Sequence, residues 1–215
     1  MIDFTSTATA TRTPELVEPC FRSFAQNLCG VELDKCRLFL NIDPVPADRT
    51  STEVIRIAAS YFGDVVVNEP MEPSFPKAVK WCFSQPDPLG ICVHIEADWE
   101  LLQPVNVPVL SMISRGVLNL RAHAHFGQTK RCFLSPGIWR SAAMRMVGDG
   151  LDGESNPEVN LWRLTDHLRC GHYYGDRVLV RDLGRQWQET SGYVKDTPKP
   201  VRGIHHWTKW VKHDE

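Results

Sequence analysis

Two types of segment alternate over residues 1–110 of this 215-residue chain. Short apolar runs with the composition of β-strands alternate with segments whose apolar residues recur at helical spacing. The predicted strands are MIDFTS, CRLFLNID, DVVVNEP and GICVHIEAD, and the predicted helices are PELVEPCFRSFAQNL, TSTEVIRIAASYF and FPKAVKWCF. Strands that alternate with helices pair in parallel through crossover connections. The sequence therefore predicts an α/β fold with a mostly parallel central sheet flanked by helices.

Polar residues follow the apolar runs where the predicted strands end. The runs RLFLNI, DVVV and ICVHI are continuously apolar, as expected of strands that are buried on both faces. Ligands of open parallel sheets bind beyond the carboxyl ends of the strands, so residues at those ends are candidates for a binding site. The expected edge residues are Thr5 to Thr9, Asp43, Asn68, Glu69, Glu96 and Asp98.

The acids Glu96 and Asp98 end the most apolar of these runs, in ICVHIEADWELL. Residues two apart at a strand end point the same way, and Ala97 between them is expected to point inward. Two neighbouring carboxylates repel each other unless a cation lies near, and hard divalent ions such as Mg²⁺ and Mn²⁺ prefer oxygen ligands. The pair is therefore a candidate metal site, and the alternative is a solvated loop with two surface acids. Trp99 is expected to pack behind the strand.

The same edge lacks the glycine motifs of other nucleotide-binding folds. No GxGxxG follows the first strand and the chain contains no GxxxxGK[ST], which argues against dinucleotide-binding Rossmann and P-loop proteins. The segment TSTATATRTPE offers hydroxyl groups, including those of Thr5 and Thr7, and one cation, Arg12, to a nucleotide. A polar loop without a ligand is the alternative interpretation.

Composition limits the cellular setting and the partners. The formal net charge of −2 gives no global attraction to nucleic acid or anionic membranes. The N-terminus has no signal-peptide pattern and no run approaches the roughly 18 apolar residues of a membrane span, so we expect a cytoplasmic protein. The seven cysteines contain no CxxC pair and lie mostly in apolar segments. We therefore expect all of them to be reduced and structural.

Residues 111–215 have a less regular pattern. SMISRGVLNLRAHAHF and RCFLSPGIW are candidate strands, WRSAAMRMV and PEVNLWRLTDHLR are candidate helices, and the tail from VLVRDLGRQWQE onward combines a short strand with loops. The change of pattern near residue 105 predicts a second functional region within one compact domain.

The segments IDFTSTATATRTPEL, RLFLNIDPVP, VVVNEPMEPSFPKAVKWCF and LGICVHIEADWELL, in this order, resemble the nucleotide-sugar half of A-fold glycosyltransferases, especially family 2-like members. Such enzymes carry Thr and Arg after the first strand, Asp after the second and an acidic DxD-type motif after the fourth. Thr7, Arg12 and Asp43 occupy those positions here, and EAD stands in place of DxD. The resemblance implies one Rossmann-like A-type glycosyltransferase domain, with a nucleotide-sugar-binding half at 1–105 and an acceptor-binding half at 106–215.

The resemblance also implies roles for single residues in the first half. Asp43 would contact the base or ribose of the nucleotide, and Asp98 would bind the metal ion that bridges the diphosphate. Glu96 would face the ribose or a metal-bound water, or ligate the metal itself. Lys77, in the third predicted helix, is a candidate contact of the diphosphate or ribose, and a solvated helix lysine is the alternative.

Two segments of the second half, FLSPGIWR and NPEVNLW, resemble the acceptor region of the same enzymes. Glu158 follows Pro157 at a predicted helix start, and the resemblance implies that it is the catalytic base, with Glu154 and Asp152 as rivals. Late histidines ligate the metal in several such enzymes, so either His205 or His206 is a further candidate ligand. A structural role is the alternative for each of these residues.

The predicted activity is metal-dependent transfer of a sugar from a nucleotide-diphosphate sugar, expected to be a UDP-sugar, to an acceptor hydroxyl with Mn²⁺ or Mg²⁺. The acceptor is a glycan or a hydroxymethylated pyrimidine in DNA, because the compact sequence also resembles virus-encoded enzymes that would act in the host cytoplasm. A tail with interleaved basic and aromatic residues suits nucleic acid, or is simply solvated: Tyr193, Lys195, Lys199, Arg202, Trp207, Lys209, Trp210 and Lys212.

Two other functions stay open at this point. A nucleotidyltransferase that makes a nucleotide sugar shares the sheet and the metal, but usually has a glycine-rich loop that TSTATATRTPEL lacks. A non-catalytic nucleotide-binding module of the same fold is the second.

Overall fold

The computed structural model of the chain describes residues 2–9, 15–44, 51–113, 116–120, 132, 134–166, 168, 170–172, 178–190, 193–196 and 209–212. The first half alternates as its sequence predicts. Its elements are β1 (Ile2–Thr9), α1 (Val17–Asn27), β2 (Leu28–Cys29), β3 (Arg37–Asp43), α2 (Ser51–Ala59), β4 (Asp64–Asn68), α3 (Phe75–Ser84) and β5 (Ile91–Glu96). All four predicted strands and all three predicted helices of this half are confirmed.

The second half contains shorter elements. They are β6 (Trp99–Leu101), β7 (Val105–Asn106), α4 (Val107–Ile113), β8 (Val117–Asn119), β9 (Gly137–Arg140), α5 (Ser141–Gly150), α6 (Pro157–Thr165), β10 (Cys170–His172), β11 (Val180–Asp182), α7 (Gly184–Thr190), β12 (Tyr193–Asp196) and β13 (Lys209–Lys212).

The predictions for the second half are confirmed only in part. The helices expected over 139–147 and 157–169 exist as α5 and α6. The strand predicted from residue 111 is wrong at its start, because residues 111–113 end helix α4 and pairing begins only at Val117. Helix α7 lies in the tail, where the sequence predicts loops. These short elements carry too few periodic residues to be recognised from their pattern.

Seven strands form the central sheet in the order β10-β8-β9-β5-β1-β3-β4. Strands β4, β3, β1 and β5 are parallel neighbours, and β9 runs antiparallel to both β5 and β8. Strand β3 pairs with β1, and β4 pairs with β3. The chain then crosses to the other side of β1, where β5 pairs with it. The strand order therefore reverses between β1 and β5, and ligands of open α/β sheets bind at such a reversal.

Helices cover both faces of the sheet and bury two apolar layers. On one face, α1 places Val17, Cys20, Phe21 and Phe24 at helical spacing against the strands, and α2 adds its own apolar side. On the other face, Phe83 of α3 packs with residues of α5, α6, β5 and β9. The resulting α/β fold, with its mostly parallel sheet flanked by helices, is the one that the sequence predicts.

A disulfide bond joins Cys132 to Cys170, with 5.9 Å between their Cα atoms. The prediction that all seven cysteines are reduced is therefore wrong for this pair. Cys170 begins β10 and pairs in register with Val117 of β8, and Cys132 lies in the same buried cluster as Val117, which brings the two cysteines together. Structural disulfides persist mainly in oxidising compartments, so the cysteines give no support to the expected cytoplasmic location. Among the residues described, no helix is long and apolar enough to cross a membrane.

Candidate functional site

The candidate site lies at the carboxyl ends of β1, β3 and β5, where the strand order reverses. Thr7 of β1 is the central residue, because it pairs in register with Asn41 on one side and Glu96 on the other. Paired residues of parallel strands face the same side of a sheet. Thr7 and Glu96 are both half-buried, so they are available at the rim of the fold.

Asp43, the last residue of β3, is buried, with only 2% of its surface exposed. Its Oδ1 accepts a hydrogen bond of 3.0 Å from Nδ2 of Asn41. Burial raises the pKa of Asp43 to about 6, and hydrogen bonds from Asn41 and from the backbone N–H of Ser74 act in the opposite direction. At neutral pH the residue is therefore a largely ionised carboxylate in a desolvated position.

Thr5 does not lie at this edge, so its predicted placement is wrong. Strand β1 continues to Thr9, which leaves Thr5 in the middle of the strand and fully buried. Its hydroxyl lies 2.9 Å from Nδ1 of His94. Burial lowers the pKa of His94 to about 4, so the imidazole is neutral near pH 7 and serves the packing beneath the site. The error arises because the sequence does not show where the first strand ends.

Strand β5 ends at Glu96, and Ala97 and Asp98 form a turn that leads into β6. Strand alternation ends at Glu96, two residues before Asp98, so it does not set the direction of the Asp98 side chain as predicted. Ala97 is buried, as predicted, and Trp99 packs in the core behind the strand, also as predicted.

A segment near the C-terminus holds the acidic turn in place, and we call residues 179–187 the strap. Strand β11 of the strap pairs antiparallel with β6, and the backbone N–H of Leu183 donates a 2.7 Å hydrogen bond to the carbonyl of Asp98. The side chain of Asp98 lies against Gly184, where an added Cβ would be only 2.4 Å from Oδ2. A larger residue at the start of α7 would therefore displace this carboxylate.

The two acids have the chemistry of a divalent-cation site. Both are partly exposed, and carboxylate oxygens are the ligands that Mn²⁺ and Mg²⁺ prefer. Within the described residues, no three His, Cys, Asp or Glu side chains gather in a cluster that would hold a metal ion. Arg12, His205 and His206 lie outside the described residues.

Helix α3 brings a second group of predicted residues toward the site. Its N-terminus follows β4 at the same edge, with Ser74 as the capping residue that accepts from the backbone N–H of Lys77. The loop after α5 packs on this first turn, because a Cβ at Gly153 would lie 3.7 Å from Cγ of Lys77. Gly153 has a φ of +79°, which suits glycine. The fold therefore places the loop that contains Glu154 beside Lys77.

Of the three candidate bases, Asp152 has a structural role. Its carboxylate accepts hydrogen bonds of 2.9 Å from the backbone N–H groups of Glu154 and Ser155 and one of 2.7 Å from the Ser155 hydroxyl. These bonds lower the pKa of Asp152 well below its ordinary value, so it is a poor proton acceptor. Glu154 and Glu158 are exposed, and the backbone N–H of Glu158 is capped by Asn156 at the start of α6.

Sequence reasoning missed three contributors to the site: Asn41, Ser74 and Gly184. Asn41 carried a usable signal, since it is a polar residue inside the apolar run RLFLNI and lies two residues before Asp43, on the same strand face. Gly184 carried none, because its importance depends on a contact between segments 86 residues apart (184 − 98).

No family model and no curated protein sequence matches this chain. Solved structures do match it in three dimensions. TarS 1–349 from S. aureus superposes with a TM-score of 0.57 at 11% identity, covering 83% of this chain and 59% of that one. The mannosyltransferase PcManGT from Pyrobaculum calidifontis, in complex with GDP-Man and Mn²⁺, gives a TM-score of 0.55 at 12% identity, covering 79% and 54%. TarS 1–349 in complex with UDP-GlcNAc gives 0.52 at 11% identity, covering 90% and 62%.

These likenesses define the class of fold. The chain has the α/β fold of A-type glycosyltransferases, as the resemblance in its sequence implies. It spans 54% to 62% of the lengths of these three structures, and identities of 11% to 12% relate the folds alone.

Proposed function

We propose that this protein is a metal-dependent glycosyltransferase that uses a nucleotide-diphosphate sugar. The observation that carries the proposal is the grouping of Thr7, Asp43, Glu96 and the turn of Asp98 at the strand-order reversal of an A-type glycosyltransferase fold. Asp43 is the buried member of this group, and burying an ionised side chain is costly unless a partner offsets its lost hydration.

Each residue has a proposed role at this edge. Asp43 and Thr7 bind the nucleoside, Lys77 and Arg12 bind the diphosphate, and the carboxylates of Asp98 and Glu96 hold Mn²⁺ or Mg²⁺, with His205 or His206 as a further ligand. When bound, such an ion acts as a Lewis acid that offsets charge on the leaving diphosphate. A UDP-sugar is the preferred donor. Thr5 is not included, because its hydroxyl is buried against His94.

Glu158 is the proposed base that accepts the proton of the acceptor hydroxyl, and Glu154 is its rival. Both carboxylates are exposed on segments that border α3, so an acceptor can reach either. A base that acts in the reaction lowers kcat when replaced by its amide, whereas a residue that only binds substrate mainly changes KM. Glu158→Gln and Glu154→Gln, compared for kcat and KM, assign the role.

The proposed acceptor is a hydroxymethylated pyrimidine in DNA or a glycan hydroxyl. In the tail, β12 pairs antiparallel with β13, so that Lys195 lies opposite Trp210 in register. A short ribbon with basic and aromatic residues is compatible with nucleic acid. A gel shift on hydroxymethylated and plain DNA at two salt concentrations tests the DNA acceptor; failure on both excludes it.

The test of the donor site is calorimetric titration with UDP and GDP, each with and without Mn²⁺, followed by assay of slow UDP-sugar or GDP-sugar hydrolysis. We expect Mn²⁺-dependent binding of at least one nucleotide and a loss of more than tenfold in Asp98→Ala. Gly184→Ala should also weaken binding, because its Cβ displaces the Asp98 carboxylate without removing it. Asp64→Ala is the matched control, since this exposed acid lies at the opposite end of β4.

Three outcomes would count against the proposal in different ways. Undiminished binding in Asp98→Ala contradicts the metal role. Binding without any sugar hydrolysis or transfer favours a non-catalytic nucleotide-binding module. Release of pyrophosphate from a nucleoside triphosphate and a sugar phosphate would indicate a nucleotidyltransferase instead.

A further inference from the structure

Two asparagine side chains connect β4 to the carboxylate of Asp43. Nδ2 of Asn68 donates a 2.6 Å hydrogen bond to Oδ1 of Asn41, and Nδ2 of Asn41 donates a 3.0 Å hydrogen bond to Oδ1 of Asp43. Asn41 has no exposed surface, and Asn68 is half-buried at the end of β4. Asn41 and Asn68 are also paired in the sheet register, so their positions are set by the backbone. We call these three residues the amide relay.

The direction of donation along the relay follows from the carboxylate. An ionised carboxylate only accepts hydrogen bonds, so Asn41 must turn its NH₂ group toward Asp43. Its carbonyl oxygen is then buried toward Asn68 and needs a donor, because a buried acceptor without a hydrogen bond destabilises the folded protein. The NH₂ group of Asn68 supplies that donor. Each amide therefore has one orientation that satisfies both of its neighbours.

We propose that Asn41 and Asn68 are positioning residues that hold Asp43 as an acceptor-only group for an N–H or O–H donor of the bound nucleoside. This inference rests on the proposed function, since it requires a nucleotide at Asp43. The carboxylate receives donors from Asn41 and from the Ser74 backbone, yet it has about four lone-pair sites, so it keeps capacity for a ligand. A nucleoside that presents only an acceptor at that position is disfavoured.

The groups that face Asp43 from neighbouring elements fit this assignment. Thr9 of β1 is its partner in the sheet register, and Ser74 at the start of α3 gives it a backbone N–H. Cys82 of α3 lies close enough to feel its charge, but burial first and that charge second raise the pKa of the thiol to about 12, so it stays neutral. Among the described residues, Glu69, Lys77, Glu96 and Asp98 are charged groups at the same edge. Hydrogen bonds from the Asn41 side chain and the Ser74 backbone thus stabilise the buried charge of Asp43 and lower its pKa.

The relay makes a specific prediction for Asn68→Asp. A carboxylate at position 68 would face the carbonyl of Asn41, so the Asn41 amide would reverse and turn its oxygen toward Asp43. That reversal disfavours the ionised form of Asp43. We expect at least tenfold weaker binding of UDP or GDP with Mn²⁺ at pH 7, and a midpoint of the binding pH profile about one pH unit higher than in the unmodified protein. Titration of the nucleotide itself is common to both proteins and does not affect this difference.

Two further variants and a control complete the experiment. Asn68→Ala removes the donor and should weaken binding several-fold, and Asn68→Ser retains a hydroxyl donor and should bind more tightly than Asn68→Ala. Gln26→Glu is the matched control for an amide-to-carboxylate change, because Gln26 is exposed near the end of α1. The side-chain carboxyl ¹³C shift of Asp43 reports its titration directly, and thermal unfolding reports any loss of stability.

The outcomes separate this inference from the proposed function. If the unmodified protein binds UDP or GDP and the Asn68 variants bind within twofold, with an unmoved pH midpoint, the positioning role is wrong and the proposed function stands. A loss of thermal stability with an unmoved midpoint also overturns it, because the amides would then serve folding alone. If the unmodified protein binds neither nucleotide, both proposals fall.

Discussion

The four parallel strands β4, β3, β1 and β5 form one side of the central sheet, which we call the parallel side, and β9, β8 and β10 form the mixed side. Strands of the parallel side contain five to eight residues, whereas those of the mixed side contain three or four. The parallel side is buried between α1 and α2 on one face and α3 on the other. The mixed side depends on α5, α6 and a disulfide bond. Apolar burial therefore stabilises one side, and a covalent crosslink contributes to the other.

The disulfide provides the largest expected effect. Cys132→Ser with Cys170→Ser releases a loop of 38 residues, and loop entropy predicts a loss of about 4 kcal/mol in the free energy of unfolding. Urea unfolding measures the loss, and Cys29→Ser at an exposed free thiol is the control. Nucleotide binding at the parallel side should change by less than twofold. Equal losses of binding and stability would show that the two sides are not separable.

The pH dependence of Asp43 tests the site on the parallel side. Its pKa is about 6 when folded and ordinarily 3.8, so its stabilising contribution is present below pH 3.8 and is lost as pH rises through about 6. An asparagine at position 43 does not ionise, so the stability of Asp43→Asn has no corresponding loss as the pH rises. The stability of Asp43→Asn relative to the unmodified protein should therefore rise by about 2 kcal/mol between pH 4 and pH 7.

Urea unfolding across that range measures the difference, and Asp64→Asn is the control because Asp64 is exposed on the same strand as Asn68. A constant difference between pH 4 and pH 7 would mean that Asp43 is not desolvated. The expected result would also mean that the ionised carboxylate of Asp43, the proposed nucleoside contact, lowers the stability of the ligand-free protein.

The contact between the two sides is tested by two glycines of α5. A Cβ at Gly148 would lie 2.8 Å from the backbone carbon of Phe83 in α3, whereas one at Gly150 would meet only the side-chain tip of Leu164. Backbone cannot move aside as easily as a side chain, so Gly148→Ala should cost about 2 kcal/mol and Gly150→Ala much less. Thermal unfolding of both variants measures this. Equal costs would place the close approach of α3 and α5 in doubt.

The smallest effect is expected at the surface of the strap. Arg181 forms an exposed ion pair with Glu100, across the β6–β11 pairing. Exposed pairs contribute about 0.2–1 kcal/mol, so Arg181→Ala should lower stability by less than 1 kcal/mol, and less still at high salt. A larger loss, or a loss of Mn²⁺-dependent nucleotide binding, would mean that the pair orients the acidic turn.

The parallel side could be predicted because its strands are long, apolar and separated by helices with clear periodicity. Asp43 and Glu96 could be located at the strand ends from position alone, and Asp98 just beyond the end of β5. The ends of the strands were harder to predict. Strand β1 continues to Thr9, so Thr5 lies inside the strand and not at the site. Backbone pairing decides such limits, and single sequences carry little information on it.

The mixed side and the strap could not be predicted for a different physical reason. Strands of three or four residues have too few positions to show a period, and the contact of Gly184 with Asp98 links distant parts of the chain. The Cys132–Cys170 pair depends on the same long-range geometry. Short elements stabilised by distant partners leave little trace in local sequence.

The place of β9 between β5 and β8 has a consequence for biosynthesis. Strand β5 receives its second hydrogen-bonded neighbour only when Gly137–Arg140 emerge, 41 residues after Glu96 (137 − 96). At translation rates of about 5–20 residues per second, the edge of β5 that pairs with β9 stays without its partner strand for roughly 2–8 s. An unpaired apolar edge strand can pair with another nascent chain. Protection of growing chains by a ribosome-associated chaperone should therefore raise the soluble yield of this protein more than chaperones that act after release.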